Sequence, residues 1–483
     1  MIRLILVIAF LFLSACATII SQPKDYSILS PQSCLAFYSE FDSLINDEDI
    51  RDVQATLVSD FPFLSVSRFL ESFKSELDSN EKLDYWLLQM ADLNIEARQI
   101  EWKNLSHSSQ EKIRNKFSIK QSMSQYVSEC SAFLFAELSS DDKQQIVSSA
   151  EVKDDYSTIN RFFGIYPLTS LFVSRQINKH QELTKKSFEK ELSEIPIKGR
   201  LVRYSIGSAT LSEKIEFNTN NPLTIPIVSD EELNQLFIQH APIIEVDEED
   251  ENDVIGQVGL DEKGYPDFSS DKSVFYVLPS YTKLNDEVLL QLNYVFWFSS
   301  RPRKSTFDIY SGRLDGLIWR VTLDSSGEPI IYDSVHNCGC YHKFFLTDNI
   351  SFNQNAASQE PEPPFVAQDN LSFDAGSRLV LRIGSVAHFL NRVYVAGQMD
   401  EIKNIEIKPY ANLRSLMSGN RRRSLFASDG LVDGTARAER WLLWPMGVPS
   451  AGAMRQWGHH AVAFVGNRYF DNADLLDKYF VVK

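Results

Sequence analysis

The stretch Val288-Leu289-Leu290-Gln291-Leu292-Asn293-Tyr294-Val295-Phe296-Trp297-Phe298 decides the fold of the second half of the chain. Its even positions are all apolar, while Gln291 and Asn293 fall on the other side. Side chains alternate between the faces of a strand, so this period of two reads as a half-buried β-strand. Downstream, Gly316 to Leu323 and Pro329 to His336 flank Asp324-Ser325-Ser326-Gly327-Glu328, a connection of hairpin length with glycine where a positive φ is easiest. These two runs are predicted to pair. Leu379, Leu381 and Ile383 mark a further strand. The segment 352–368, with Pro361, Pro363 and Pro364, reads as a mobile loop, and Ala451 to Trp457 and Asn472 to Phe480 read as C-terminal helices.

Toward the N-terminus the period lengthens. Leu83, Trp86, Leu87, Met90 and Leu93 recur at three- and four-residue intervals, as do Phe69, Leu70, Phe73 and Leu77. Ser30 followed by Pro31 reads as a helix start, and Ser108 with Glu111 as a capping box. Such aromatic stripes are read as bundle core and not as a cofactor groove. Beyond Ile195-Pro196 the pattern breaks, with Asn220-Asn221-Pro222 and Pro226 interrupting. The expectation is an α+β chain: an N-terminal helical bundle over 30–195, a linker over 196–230, and a β-rich domain over 231–483 with antiparallel hairpins and C-terminal helices.

Among the 483 residues, 43% are hydrophobic and 23% charged, values of a folding chain and not of a disordered one. A net charge of −17 speaks against binding nucleic acid or bare anionic lipid over a broad surface, since both need a cationic face. The cluster Arg421-Arg422-Arg423 is a local exception and reads as a solvated loop. The run Glu245 to Asp253 carries seven carboxylates, but Gly256 comes too late for an EF-hand loop, so it too reads as solvated.

At the start, Arg3 precedes the apolar run Leu4 to Leu13 and then Leu13-Ser14-Ala15-Cys16. A run of about ten residues makes a helix of ~15 Å, too short for a ~30 Å hydrocarbon core, and so reads as an export signal. Leu13-Ser14-Ala15-Cys16 resembles the lipobox of bacterial lipoproteins. That resemblance implies a signal peptide over 1–15, acyl chains such as palmitate on Cys16, and a lipidated tether over 16–29. It also implies a place in the bacterial cell envelope, and Ala17 in place of Asp implies the outer membrane facing the periplasm. The competing reading is an ordinary cleaved signal peptide that leaves Cys16 free.

Export places the other cysteines in an oxidising compartment, where pairing or metal binding is expected. Cys34 shares a helical face with Phe37, Tyr38 and Phe41, and Cys130 shares one with Met123, Tyr126 and Val127. Two such faces can pack together, so a Cys34–Cys130 disulfide is predicted, against two buried free thiols.

The densest chemistry is His336-Asn337-Cys338-Gly339-Cys340-Tyr341-His342. Two imidazoles and two thiols are the ligand set of zinc, although one straight strand would splay His336 and His342 about 20 Å apart. A turn at Gly339 could gather them, with His388, His459 or His460 completing the shell. A Cys338–Cys340 disulfide and a reactive thiol remain the other readings. The body resembles bacterial lipoproteins that carry a similar H-x-C-G-C-Y-H segment and have no known activity. Arg301, Arg303, Asp308, Asp315 and Arg320 surround glycine turns without forming a signature. Ser450, three residues after Gly447, misses the nucleophile-elbow spacing and reads as a helix N-cap. The functional expectation is an envelope protein anchored to the membrane through its N-terminal lipid, binding a ligand or an envelope partner without catalysis. The alternative is a metal-dependent hydrolase, with zinc held by His336, Cys338, Cys340 and His342.

Overall fold

Serine caps open the N-terminal helices. In α1 (Pro31–Asp47) the Ser30 hydroxyl accepts from the Ser33 amide while the Ser33 hydroxyl accepts from the Ser30 amide, with proline at the first helical position. Next come α2 (Asn80–Asn104), α3 (His107–Lys116), α4 (Met123–Ala136) and α5 (Ser140–Ser149). The cap of α3 is Ser106, not the expected Ser108, because Glu48 at the end of α1 bonds both the amide and the hydroxyl of Ser106 and fixes it there. The apolar faces meet in one core around Phe37, Phe41, Trp86 and Tyr126. Within it a disulfide joins Cys34 on α1 to Cys130 on α4. These coordinates are a computed structural model, which describes residues 29–207, 215–371, 378–395 and 402–483. Cys16, the signal segment and the tether to residue 28 lie outside the described residues.

Two more helices, α6 (Thr158–Phe163) and α7 (Tyr166–Phe188), leave that bundle for the β-rich half. There, eleven strands form one mixed sheet: β1 (Arg200–Ser205), β2 (Ile243–Glu248), β3 (Ser273–Leu284), β4 (Glu287–Arg301), β5 (Gly312–Leu323), β6 (Pro329–His336), β7 (Lys343–Thr347), β8 (Val366–Leu371), β9 (Leu379–Ile383), β10 (Leu390–Val395) and β11 (Ile402–Pro409). The spatial order is β8-β7-β6-β5-β4-β3-β11-β1-β2-β9-β10. The run β3 to β7 is an antiparallel meander; β8 on β7, β9 on β2, and β11 on both of its neighbours are parallel. The two edges come together. Gln368 of β8 donates to the Val393 carbonyl of β10 and accepts from its amide, so the sheet is nearly a closed barrel.

The chain is therefore α+β, and the predicted hairpin forms as β5–β6, with Gly327 at φ 78° in its turn. Other details differ. Strand β4 is buried on both faces, not half-buried: Leu292, Tyr294 and Phe296 enter one core, Val295 and Trp297 another. Gln291 and Asn293 are buried with them and bond Thr322, Ser280 and the Leu278 carbonyl. The cause is the C-terminal segment 410–470, which covers the second face. Segment 196–230, read as a linker, contributes β1. Segment 352–368 is not a bare loop: it holds a helical turn at Gln354–Ala357, and the Glu362 carboxylate accepts from the amides of Phe464 and Val465. Ala451–Trp457 forms turns, not a helix, and Asn472–Phe480 is helical only over Leu475–Tyr479. Arg421–Arg423 is an exposed two-strand pairing with Leu416–Ser418. The acidic run is split: Glu245, Asp247 and Asp253 are buried, Glu245 against Arg203 and Arg382, whereas Glu249, Asp250 and Glu251 are exposed as the solvated reading expects.

Candidate functional site

Strand β6 ends at His336 and β7 begins at Lys343, so the chain must reverse within the motif. It does so by a tight turn in which the Gly339 amide donates to the His336 carbonyl (2.7 Å) and the His336 amide to the Cys340 carbonyl (3.0 Å). Gly339 has φ 89°, and a Cβ there would stand 2.6 Å from the Ala461 carbonyl oxygen. From the C-terminal segment, the Arg455 amide donates to the Asn337 carbonyl and its guanidinium to the Cys338 carbonyl.

The turn brings the two sulfurs together and separates the two imidazoles. Cys338 and Cys340 are buried and unjoined, contrary to the disulfide reading. A hydrogen bond from Cys340 holds the Cys338 thiol below its ordinary range and pushes that of Cys340 above it. His342 lies 2.7 Å from Asp333, which also makes a two-point pair with Arg320 (2.8 and 2.6 Å). His336 instead faces Asp315 at 3.6 Å. Burial pushes both imidazoles down to about 4, so both are neutral at pH 7. Among the described residues no group of three or more His, Cys, Asp or Glu is placed to hold a metal ion. The four motif residues do not fit a single zinc ion in this arrangement. His459 turns to Asp155 and the Val53 carbonyl, and His460 is buried beside Phe470.

His388 belongs to the same neighbourhood by another route. Its ring stacks on Phe298, with centroids 3.9 Å apart, and bridges two fully buried carboxylates: Nδ1 to Asp315 at 3.0 Å and Nε2 to Asp253 at 3.2 Å. Burial alone would lower the affinity of His388 for its proton, but the hydrogen bonds to Asp253 and Asp315 outweigh it and raise the pKa. Arg437 approaches Asp315 at 3.3 Å. Asp253, His388, Asp315 and Arg437 thus form one buried chain of contacts, in which a protonated His388 would balance the second carboxylate. Four non-glycine residues at positive φ flank this network: Leu314 (51°), Tyr341 (62°), Val386 (69°) and His388 (49°). Val386 is β-branched, for which this conformation is a true outlier; its amide donates to Asp253 at 2.6 Å.

Helix α7 lies over the turn and encloses a cavity of about 520 Å³ with it. The walls are mostly apolar, with Phe172, Ile177, Phe365, Leu443, Val462 and Phe464. Into them come Cys340, Glu439, Glu362, Arg468 and Lys343. Lys343 is 3% exposed. Its Nζ donates to the Tyr341 carbonyl at 3.3 Å, and no carboxylate among the described residues pairs with it. Burial pushes its pKa down to about 8. The two acids of the wall do not offset it: the Glu362 carboxyl is held by the backbone, and burial raises the pKa of both Glu362 and Glu439. A second cavity of about 480 Å³, between the bundle and the C-terminal segment, includes the ion pairs Arg98–Glu101 and His459–Asp155 in its lining.

Ser450 caps no helix. It lies in a turn at φ 43°, and no imidazole among the described residues bonds its hydroxyl. Sequence reasoning missed Arg437, Glu439 and Arg468, which come from an irregular segment without periodicity. Lys343 had a signal: a lone cation between the motif and the apolar run Phe344-Phe345-Leu346. Compared with protein-family models, curated proteins and solved structures, the chain matches none.

Proposed function

We propose that this chain is a lipid-anchored envelope protein that binds, without catalysis, an amphiphilic anion: an apolar body in the cavity under α7 and a carboxylate or phosphate-type head on Lys343. One observation carries the reading: a buried ammonium without a carboxylate partner in the wall of an apolar cavity of ligand size. An unpaired buried charge is costly, and an anionic ligand would supply the missing partner. The envelope location and the acyl anchor rest on the lipobox resemblance at Cys16. A zinc hydrolase built on the 336–342 motif has no comparable support, since its imidazoles turn to different carboxylates.

The test uses 11-(dansylamino)undecanoic acid and its methyl ester as fluorescent probes. The acid is expected to bind at least about tenfold more tightly than the ester, the worth of one charge-assisted contact. Lys343→Met is expected to bring the two probes to equal affinity. Equal binding of acid and ester by the unaltered protein would sink the reading.

A further inference from the structure

Helix α7 has a second side, which meets the cavity at Phe172. Along it Leu168, Leu171 and Phe172 stand 59%, 61% and 68% exposed, at the spacing of a single helix face. In α6, Ile159, Phe162 and Phe163 are 69%, 78% and 71% exposed. A short helix, α8 (Arg440–Leu443), adds Trp441 at 69% and Leu442 at 64%. The turn Trp444–Met446, against which both α6 and α7 pack, brings these segments together. Single exposed apolar residues need no explanation, but a cluster of eight large ones marks a surface that is covered in use.

Charge says by what. The chain as a whole is strongly acidic, at −17. Yet α7 continues the same flank with exposed Arg175, Lys179, Lys185 and Lys186 against the single acid Glu182, and the Arg440 guanidinium sits 4.8 Å from the Trp441 ring centre. Aromatic residues beside arginine and lysine, on a helix with one apolar flank, are the composition that lies in the headgroup region of a bilayer. A second copy docked through the same patch would bring two basic flanks together, which disfavours it.

We infer that the flank formed by α6, the outer face of α7 and α8 lies on an anionic phospholipid surface, with Phe162, Phe163 and Trp441 in the headgroup–acyl boundary. This does not depend on what the cavity holds. Phe172 and Leu442 also line that cavity, so its rim and the lipid-facing flank are continuous.

The test reconstitutes the full chain into vesicles of phosphatidylglycerol and phosphatidylethanolamine whose acyl chains carry bromine, a short-range quencher of tryptophan. Emission is expected to fall relative to plain vesicles, and most of that fall is expected to vanish in a Trp441→Phe/Trp444→Phe variant. Arg175→Glu/Lys179→Glu, both exposed positions, should weaken the quenching, and vesicles of phosphatidylcholine alone should do the same. Quenching is a property of the face and not of the N-terminal anchor, which alone would hold the body at the vesicle without wetting Trp441. Emission that bromine leaves unchanged while aqueous iodide still quenches it would overturn the inference. So would failure of the chain to float with the vesicles, or cross-linking through Leu168→Cys that shows a second copy on the face.

Discussion

Replacing Lys343 by methionine should make the protein more stable, and by an amount that depends on pH. The ammonium is 3% exposed and without a carboxylate partner, and burial alone drops its pKa from 10.5 to about 8. Each pH unit of that drop is worth about 1.4 kcal/mol, so holding the charged form inside costs about 3 kcal/mol. Methionine is unbranched and of similar length, and it fills the same space without the charge. Below pH 8 both the folded and the unfolded chain carry the proton, and the cost is fully present. Between about 8 and 10.5 the unfolded chain keeps a proton that the folded chain has shed, so the wild-type protein gains on the variant as pH rises. Above 10.5 the advantage of methionine is gone. Urea unfolding of both proteins across this range, compared at each pH, isolates Lys343 from every other titrating group. A variant less stable than wild type near pH 7, or an advantage that does not change with pH, would refute the reasoning. The same linkage bears on function, since an anion seated on Lys343 raises its pKa again and its binding near pH 9 should draw in protons.

Three further outcomes are expected. The Cys34–Cys130 disulfide spans 96 residues, and in the chain-entropy model its removal in a Cys34→Ala/Cys130→Ala variant should cost about 4–5 kcal/mol of bundle stability; a loss below about 1 kcal/mol in urea titration would contradict this. His388→Gln leaves Asp253 and Asp315 sharing a buried region without the cation between them, and should cost roughly 3–5 kcal/mol. Because the folded pKa of His388 is raised above 6.5, its contribution is full below that pH and lost as pH rises through the folded value. Thermal unfolding of His388→Gln and wild type should therefore converge toward alkaline pH, and a constant gap would count against the charged imidazole. Finally, Cys16→Ala should abolish incorporation of labelled palmitate; a variant that is still acylated would remove the basis for the anchor.

What could be read from the sequence were the periodic features. The alternation of Val288–Phe298 and the turn at Gly327 locate the meander, and the helical spacing around Cys34 and Cys130 places two thiols on facing helices. What could not be read has a common origin. Residues 410–470 have no period, yet they cover the second face of β4 and supply Arg437, Glu439, Arg455 and Arg468. Without them Gln291 and Asn293 look like solvent-facing residues, and Glu245 to Asp253 looks like a solvated loop. Carboxylate runs carry no mark of which members will meet a partner: Asp253 finds His388, 135 residues away, across parallel and antiparallel pairings that local pattern does not specify. The motif itself was visible at once, but its density suggested one centre. Because the turn at Gly339 reverses the chain, His336 and His342 emerge into different charge networks, and the neighbour, Lys343, has no carboxylate partner among the described residues.

The two walls of the cavity are held in different ways, and this bears on how it would be used. The floor is fixed: the 336–343 turn is bonded by Arg455, pressed against Ala461 at Gly339, and backed by the buried network of Asp253, His388, Asp315 and Arg437. Strained residues such as Val386 persist only where surroundings over-determine them. The roof is different. Along the 23 residues of α7, only Ser170 and Phe188 are buried. One buried phenylalanine is worth about 1.5–3 kcal/mol, little for a helix of that length, so α7 is the wall that can yield. A ligand with its head on Lys343 and its apolar body against Phe172 and Ile177 would join the rigid wall to the yielding one. Its affinity would then include the ordering of α7, and a bilayer on the other side of the same helix would share in holding it.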